Sequence, residues 1–370
     1  MRVSTDGELL GNTFYLSTPD TGFKVQPKSA LNVSTNEYMV SFGWGPEVGD
    51  KETYVVRMDS DGNIQYGPES LYPSIYNTTH PVISFSPVKQ QYLVVVNDRY
   101  IFSESSLDNI GYVLDKDGNV ISGPLLIGST EGDQFNPQVA YNSVDDTFLV
   151  VWEDFRHATS FLGNCEQYGA LLDSDGNMLV EIPILDDYGT EDEGKQQNQF
   201  VTHNPDNNEF LVAFGARLQP SLEDGGVVGR IVNGDGTLKG DPFVIVDGAK
   251  PQNSPQFVYV KDKKQYFMVW VEYKNDTALQ PGDPFYYANN TDIFGKWLDP
   301  SGEAAGPDIP ICTDSDIQSW PTLAYDPVTK RFLIVWLDQN APGDYEPLGG
   351  GGMMAMEVKA DIKCAIYGVP

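Results

Sequence analysis

The sequence brings an acid, a guanidinium and an imidazole close together at Asp154, Arg156 and His157. A carboxylate or an imidazole can exchange a proton with a substrate, and a guanidinium can neutralise a substrate carboxylate through paired hydrogen bonds. His80 supplies a second imidazole elsewhere in the chain. If the protein is an enzyme, we expect Asp154, Arg156, His157 and His80 to act in catalysis. The alternative for Arg156 is an ion pair with neighbouring acids.

A second group of residues has the side-chain types found at binding surfaces. Arginine is scarce, with seven in the chain, and three of the seven closely follow an apolar stretch. Guanidinium groups bind carboxylate, sulfate or phosphate, while aromatic rings stack on sugars or anchor protein partners. We predict a binding surface from the following residues: Arg99, Tyr100, Arg156, Arg217, Trp44, Trp320, Tyr286 and Tyr287.

The elements that must position these side chains repeat along the chain. Counted from Pro137, an aromatic residue follows at +11 (Phe148) and a large apolar residue at +15 (Trp152). A spacing held along a whole chain is typical of repeat architectures. We expect Trp152, Trp270 and Trp336, all at +15, to pack between repeats. Six segments keep both spacings, counted from Pro27, Pro81, Pro137, Gln199, Pro255 and Pro321.

Each segment has the pattern of four antiparallel strands. Short β-branched and aromatic runs are joined by Asn- and Asp-rich turns, and an Asp-Gly pair such as Asp117-Gly118 marks a further tight hairpin. The last repeat stops after three strands, and the first residues of the chain supply the fourth. The sequence thus predicts an all-β, six-bladed β-propeller in one domain, closed by the N-terminal strand. The predicted blades are 26–78, 79–133, 134–196, 197–251, 252–316, and 317–370 with 1–25.

These repeats, of the form VAYNP…FLVVWED…DIYGxxLDxDGN, resemble those of secreted and cell-surface β-propeller proteins, mostly microbial. Nearly the whole chain takes part in the resemblance. It implies a propeller with an extracellular or cell-surface location, the signal peptide being absent from this chain. It leaves the activity open, because propellers host lectins, adhesins, lyases, lactonases and phytases.

One class of loop varies in length. From the second to the third strand of successive repeats the distances are 13, 15, 17, 15, 25 and 32 residues, whereas the other connections are nearly constant. Variable loops on a rigid scaffold commonly carry binding sites. We therefore predict a ligand face built from residues 97–109, 153–166, 215–225, 272–291 and 338–362.

The residue before the starting position of each repeat, a proline in five repeats and Gln199 in the other, should line the mouth of a central channel. Among these residues Asn136, Asn198 and His80 are weak candidates for binding Ca²⁺, since none of the six is a carboxylate, which a hard cation usually needs. A polar, water-filled channel is the alternative. We expect no required cofactor and name Ca²⁺ as the one ion that this ring could hold. The six residues are Gln26, His80, Asn136, Asn198, Ser254 and Trp320.

Charge and composition exclude several classes of function. The chain has 53 acidic and 23 basic residues, a net charge of −30, which repels phosphate backbones and argues against nucleic-acid binding. No apolar run reaches the length that a membrane helix needs, so membrane insertion is not expected. Cys165, Cys312 and Cys364 fit neither a disulfide framework nor a metal motif.

The function that these features favour is a non-catalytic extracellular propeller, which engages a glycan or protein partner through the long loops of one face. The motifs Gly-x-Ser-x-Gly and His-Glu-x-x-His are both missing. The first alternative is a calcium-dependent propeller hydrolase or lactonase, or a polysaccharide lyase, acting at the channel mouth. A second is a structural, self-assembling surface protein, slightly supported by the glycine-rich stretch 348–353.

Overall fold

A computed structural model of the chain shows β-strands joined by turns, with no helix in the residues that it describes. No membrane-spanning helix is therefore found among them. The described residues are 2–4, 6–10, 15–17, 23–45, 51–71, 79–99, 106–128, 131–158, 165–186, 197–216, 226–247, 250, 252–274, 291–339 and 360–368.

The first half of the chain forms a short hairpin and three four-stranded antiparallel sheets. The hairpin pairs β1 (Arg2–Val3) with β2 (Leu9–Leu10). Blade 1 consists of β3 (Phe23–Asn32), β4 (Glu37–Gly45), β5 (Glu52–Asp59) and β6 (Ile64–Ser70). Blade 2 consists of β7 (Thr79–Ser86), β8 (Gln91–Arg99), β9 (Leu107–Asp115) and β10 (Val120–Gly128). Blade 3 consists of β11 (Gln134–Asn142), β12 (Thr147–Asp154), β13 (Glu166–Asp173) and β14 (Met178–Leu185).

The second half forms three further sheets in the same strand order. Blade 4 consists of β15 (Gln197–Asn204), β16 (Glu209–Ala216), β17 (Gly226–Asn233) and β18 (Leu238–Val246). Blade 5 consists of β19 (Gln252–Val260), β20 (Gln265–Tyr273), β21 (Thr291–Leu298) and β22 (Ile309–Cys312). Blade 6 has three strands in the described residues, β23 (Ile317–Asp326), β24 (Arg331–Gln339) and β25 (Ala360–Gly368).

The prediction of an all-β, six-bladed β-propeller is confirmed. The N-terminal residues form their own hairpin rather than a ladder with β25 among the described strand pairings. The turn of that hairpin nevertheless lies beside blade 6. Asp6 forms an ion pair with Arg331, and a Cβ added to Gly7 would lie 3.3 Å from Cγ1 of Ile366.

The Asp-Gly segments are tight turns, as their sequence indicates. In the turn between β9 and β10, Oδ1 of Asp115 accepts hydrogen bonds from the backbone N–H groups of Asp117 and Asn119. Gly118 has φ +101°, a conformation that side chains with a Cβ rarely adopt. The carboxylate of Asp115 is thus occupied by its own turn.

The chain divides into two compact units. Unit 1 comprises Met1–Ser4, Glu8–Val212 and Arg230–Pro242, and so contains blades 1 to 3 whole. Unit 2 comprises Thr5–Gly7, Ala213–Gly229 and Phe243–Pro370, and so contains blades 5 and 6 whole. The strands of blade 4 are divided between the two units.

The core of each unit lies between neighbouring blades. In unit 1, Trp152 of blade 3 packs with Leu93 and Ile127 of blade 2. In unit 2, Trp336 of blade 6 packs with Phe267 of blade 5. Both tryptophans are buried, and so is Trp270, which confirms their prediction as packing residues.

The strand register corrects one assignment in the last blade. The third-strand glycine of blades 2 and 3 lies opposite a valine of the second strand, as Gly111 does opposite Val95. In blade 6 the residue opposite the equivalent Val335 is Cys364, not Gly368. The distance of 32 residues given for this repeat was counted from Trp336 to Gly368 and ends at the wrong residue, because Gly368 is the last residue of β25.

Candidate functional site

The first strand of every blade contains a residue in the left-handed conformation. In five blades the strand register shifts at this residue, which marks a β-bulge. Left-handed backbone is uncommon for residues other than glycine, and bulges re-aim a side chain next to functional sites. These are the six residues that the sequence placed at a channel mouth. They have φ between +52° and +56°: Gln26, His80, Asn136, Asn198, Ser254 and Trp320.

The bulge residues of unit 1, Gln26, His80, Asn136 and Asn198, are called here the bulge row. Each backbone N–H after the first donates a hydrogen bond to a side-chain oxygen of the preceding blade. Two of the acceptors are amide oxygens, and the third is a carboxylate. The pairs are His80 N to Gln26 Oε1 (3.0 Å), Asn136 N to Asn97 Oδ1 (3.0 Å), and Asn198 N to Glu153 Oε1 (2.9 Å).

Glu153 provides the carboxylate that accepts a hydrogen bond from this row, and the sequence analysis did not identify it. It lies near the end of β12 and is 5% exposed. Its Oε1 also accepts a hydrogen bond from Nδ2 of Asn136 at 3.0 Å. No other repeat has an acid at this position, one residue after the +15 residue, where the six residues are Gly43, Asn97, Glu153, Gly215, Val271 and Leu337.

Burial raises the pKa of the Glu153 carboxyl, although its hydrogen bonds from Asn136 and Asn198 act in the opposite direction. A buried carboxyl with a raised pKa holds its proton more readily at a given pH. This is the property required of a general acid. Glu153 thus combines a fixed position with a pKa shifted in the direction that favours proton donation.

His80 precedes Asn136 and Asn198, the two residues of the bulge row that are bonded to Glu153. Burial, and then the charges of Lys51 and Lys28, lower the pKa of His80 to about 4. Its ring packs edge-on against Phe135, with centroids 4.4 Å apart. His80 is therefore a neutral imidazole at neutral pH.

The structure brings Asp154 and Arg156 together as a closed ion pair. Nε of Arg156 donates to Oδ1 of Asp154 and Nη2 donates to Oδ2, each at 2.8 Å. Nη1 donates to Glu181 at 3.0 Å, and the guanidinium lies 3.7 Å from the ring centroid of Tyr168. Asp154 is fully buried and also accepts a hydrogen bond from Nε1 of Trp152. The pair holds blade 3 together, which is the alternative that the sequence left open for Arg156.

His157 contacts a different acid, Glu166, which lies opposite Asp154 in the strand register. Its Nδ1 lies 2.8 Å from Oε2 of Glu166, and 65% of its side chain is exposed. Burial raises the pKa of Glu166, against the effect of the imidazole. Of the four residues proposed from the sequence as catalytic, Asp154, Arg156 and His157 thus belong to blade 3, and His80 belongs to blade 2.

The other predicted binding residues are dispersed. Trp44 is half-buried against Tyr54, with ring centroids 5.0 Å apart. Trp320 is 68% exposed, and Arg99 is half-buried at the end of β8. Four of the predicted residues, and most of the predicted loops, lie outside the described residues: Tyr100, Arg217, Tyr286 and Tyr287.

An acid also recurs two residues after the +15 position in four of the six repeats, and the sequence reasoning did not use it. The second-strand residues concerned are Asp98, Asp154, Glu272 and Asp338. In blade 6, Asp338 pairs with Lys363 at 3.0 Å. Aligning the six repeats position by position would have shown that these acids recur, whereas an acid at the position of Glu153 occurs in one repeat only.

No group of three or more His, Cys, Asp or Glu side chains that could hold a metal ion occurs in the described part of the chain. One carboxylate, that of Glu153, is hydrogen-bonded to Asn136 and Asn198 of the bulge row. Ca²⁺ at these residues and His80 stays a prediction.

The neutral state of His80 predicts a pH dependence of stability. Its pKa of about 4 lies below the ordinary value of 6.5, so between these pH values the unfolded chain binds more protons than the folded one. Stability should therefore fall as the pH decreases from 6.5 towards 4. The substitution His80→Gln should reduce this loss in the free energy of unfolding by up to about 3 kcal/mol. Urea unfolding of both proteins at pH 7 and pH 4.5 measures it, and equal losses would contradict it.

Comparisons with known proteins support the architecture. No protein-family model and no curated protein matches the chain. A solved structure of a protein of unknown function from Dyadobacter fermentans is 13% identical, with a TM-score of 0.57, over 94% of this chain and 96% of that one. The α-L-arabinanase of Penicillium chrysogenum, solved with arabinobiose, is 12% identical with a TM-score of 0.54 over 85% and 88%. An α-L-arabinofuranosidase from Fusarium graminearum, solved with an iminosugar inhibitor, is 14% identical with a TM-score of 0.51 over 92% of each chain.

These similarities confirm the propeller architecture that the repeats resemble. They also correct the functional expectation. The prediction of a non-catalytic binding propeller is wrong as the first interpretation, because the named activities among these similar structures are those of carbohydrate-cleaving enzymes. Missing catalytic motifs were a poor guide, since glycoside hydrolysis needs only two suitably placed carboxyl groups and no local motif.

Proposed function

We propose that this protein is a carbohydrate-active enzyme that cleaves glycosidic bonds in a polysaccharide, with its site at the bulge row. The observation that carries the proposal is Glu153, a buried carboxyl group with a raised pKa, bonded to two left-handed bulge residues. Carboxyl groups with perturbed pKa values and residues with strained backbone both cluster at active sites. The similarity in fold to an arabinanase and an arabinofuranosidase agrees with this function.

In this proposal Glu153 is the general acid. It donates its proton to the glycosidic oxygen as the bond from that oxygen to the anomeric carbon breaks. Asn136 and Asn198 fix the carboxyl through its Oε1. A water molecule forms the new bond to the anomeric carbon, and a second carboxylate accepts the proton that this water loses.

A second carboxylate is required in most glycoside hydrolases. We assign this role to Asp98 or Asp108 of blade 2. They lie opposite each other across β8 and β9, and both are buried.

An extracellular location follows from this function, because polysaccharides are too large to enter a cell intact. The acidic surface suits such a protein by keeping it soluble. A glycan is accordingly the proposed partner.

The test is a cleavage assay on neutral and acidic polysaccharides, including arabinan, galactan, xylan and polygalacturonate. We expect new reducing ends from at least one of them, without the ultraviolet absorbance of an unsaturated product. That absorbance would instead indicate elimination and contradict hydrolysis. A parallel assay with EDTA tests the prediction of Ca²⁺. If no polysaccharide yields shorter products after prolonged incubation with the folded protein, the proposed function is wrong.

A further inference from the structure

Lys28 is an exception among the basic residues of this acidic protein. The chain carries 53 acidic and 23 basic residues, and most described lysines and arginines lie beside a carboxylate, as Lys239 does beside Glu209. In the described part of the chain the ammonium of Lys28 has no ion pair and no hydrogen bond. It is half-buried on β3, and burial lowers its pKa. A desolvated charge without a partner costs stability, so its presence calls for another explanation.

The Lys28 side chain faces blade 2. Alternate residues of a strand point to the same face, and Ala30 packs against the apolar cluster shared by blades 1 and 2. Lys28 follows the bulge at Gln26 and is therefore on the same face as Ala30. This direction places its charge beside the bulge row.

His80 provides a second polar group at the same place. Its N–H is bonded to the side chain of Gln26, two residues before Lys28, and the positive charges of Lys51 and Lys28 both lower the pKa of its ring. Within the described residues Nδ1 of His80 is buried and has no hydrogen-bond partner. Its left-handed backbone is held by the hydrogen bond from its N–H to Gln26. A buried polar atom without a hydrogen-bond partner, near a half-buried ammonium without an ion pair among the described residues, is the arrangement expected of a ligand site.

We propose that Lys28, Lys51 and His80 form a subsite for the anionic group of an acidic sugar, either a carboxylate or a sulfate. The inference rests on the proposed function and narrows its substrate class from glycans to acidic glycans. The bound anion would neutralise Lys28 and accept a hydrogen bond from Nδ1–H of His80. Because His80 and the residues that hold Glu153 belong to one bulge row, a glycan along this row could contact both.

The test is calorimetric binding of two matched pairs of probes. The first pair is oligogalacturonate and its methyl ester, and the second is a sulfated galactan oligosaccharide and its desulfated form. We expect the wild type to bind one charged probe at least about tenfold more tightly than its neutral partner. The charged probe that shows this preference identifies the anion as carboxylate or sulfate. Equal affinities within both pairs would overturn the subsite.

Lys28→Met should abolish the preference for the charged probe. Lys116→Met is the matched control, because it removes the same charge from an exposed turn and should keep the preference. A Lys28→Met protein that still prefers the charged probe would contradict the inference. Binding is independent of turnover, so a charge preference without any cleavage would support the subsite and reject only the proposed function.

A stability measurement separates ligand binding from a structural role of Lys28. Removing the half-buried charge of Lys28 should leave the Tm of the ligand-free protein unchanged or raise it. The charged probe should raise the Tm of the wild type more than that of Lys28→Met. Lys28→Gln serves as a second, polar variant. If both variants have a clearly lowered Tm without ligand, Lys28 supports the fold and the inference is wrong.

Discussion

Replacing Trp152 by alanine is expected to lower the free energy of unfolding by about 3–5 kcal/mol. The indole is fully buried and packs in the cluster between blades 2 and 3. A Cβ added to Gly128 would lie only 2.8 Å from Cζ2 of Trp152, so the ring contacts the backbone of β10 directly. Truncation leaves a cavity between two rigid sheets, which cannot close it by moving.

Urea denaturation followed by circular dichroism measures this loss. Trp320→Ala is the matched control, because the same substitution at a side chain that is 68% exposed removes little packing. It should change the stability by no more than about 0.5 kcal/mol. Similar losses for the two variants would show that Trp152 is not a core residue.

Glu153→Gln is expected to lower kcat by about 10²–10⁴-fold, once a substrate is known, with little change in stability. Glutamine keeps an oxygen that can accept the hydrogen bond from the N–H of Asn198, as the amide of Asn97 accepts that of Asn136 in the preceding blade. The substitution removes the transferable proton while the local structure remains. Glu153→Leu also removes the acceptor and should cost a further 1–3 kcal/mol, roughly, of stability.

The pH profile of kcat adds a second measurement. A general acid acts while protonated, so activity should fall as the pH rises through the raised pKa of Glu153. Glu166→Gln is the comparison variant, since Glu166 is the other blade 3 carboxyl with a raised pKa, and it is bonded to His157. If Glu166→Gln is inactive and Glu153→Gln is active, the acid belongs to the His157 pair instead.

The sequence alone determines the architecture of this protein and the location of its bulges. The recurring spacing identifies six blades, and the tryptophans at +15 identify their core, because strand alternation and turn chemistry act over a few residues. The six residues that precede the starting position of each repeat all have left-handed backbone. Short-range rules of this kind can be read from any one repeat and checked against the other five.

The site depends on contacts that no repeat contains by itself. Glu153 of blade 3 meets Asn198 of blade 4, and Lys28 of blade 1 faces blade 2, which carries His80. Each contact depends on how neighbouring sheets are staggered, and a local pattern does not encode that stagger. The sequence therefore determined the frame, and only the tertiary structure decided which carboxyl, imidazole and ammonium groups face one another.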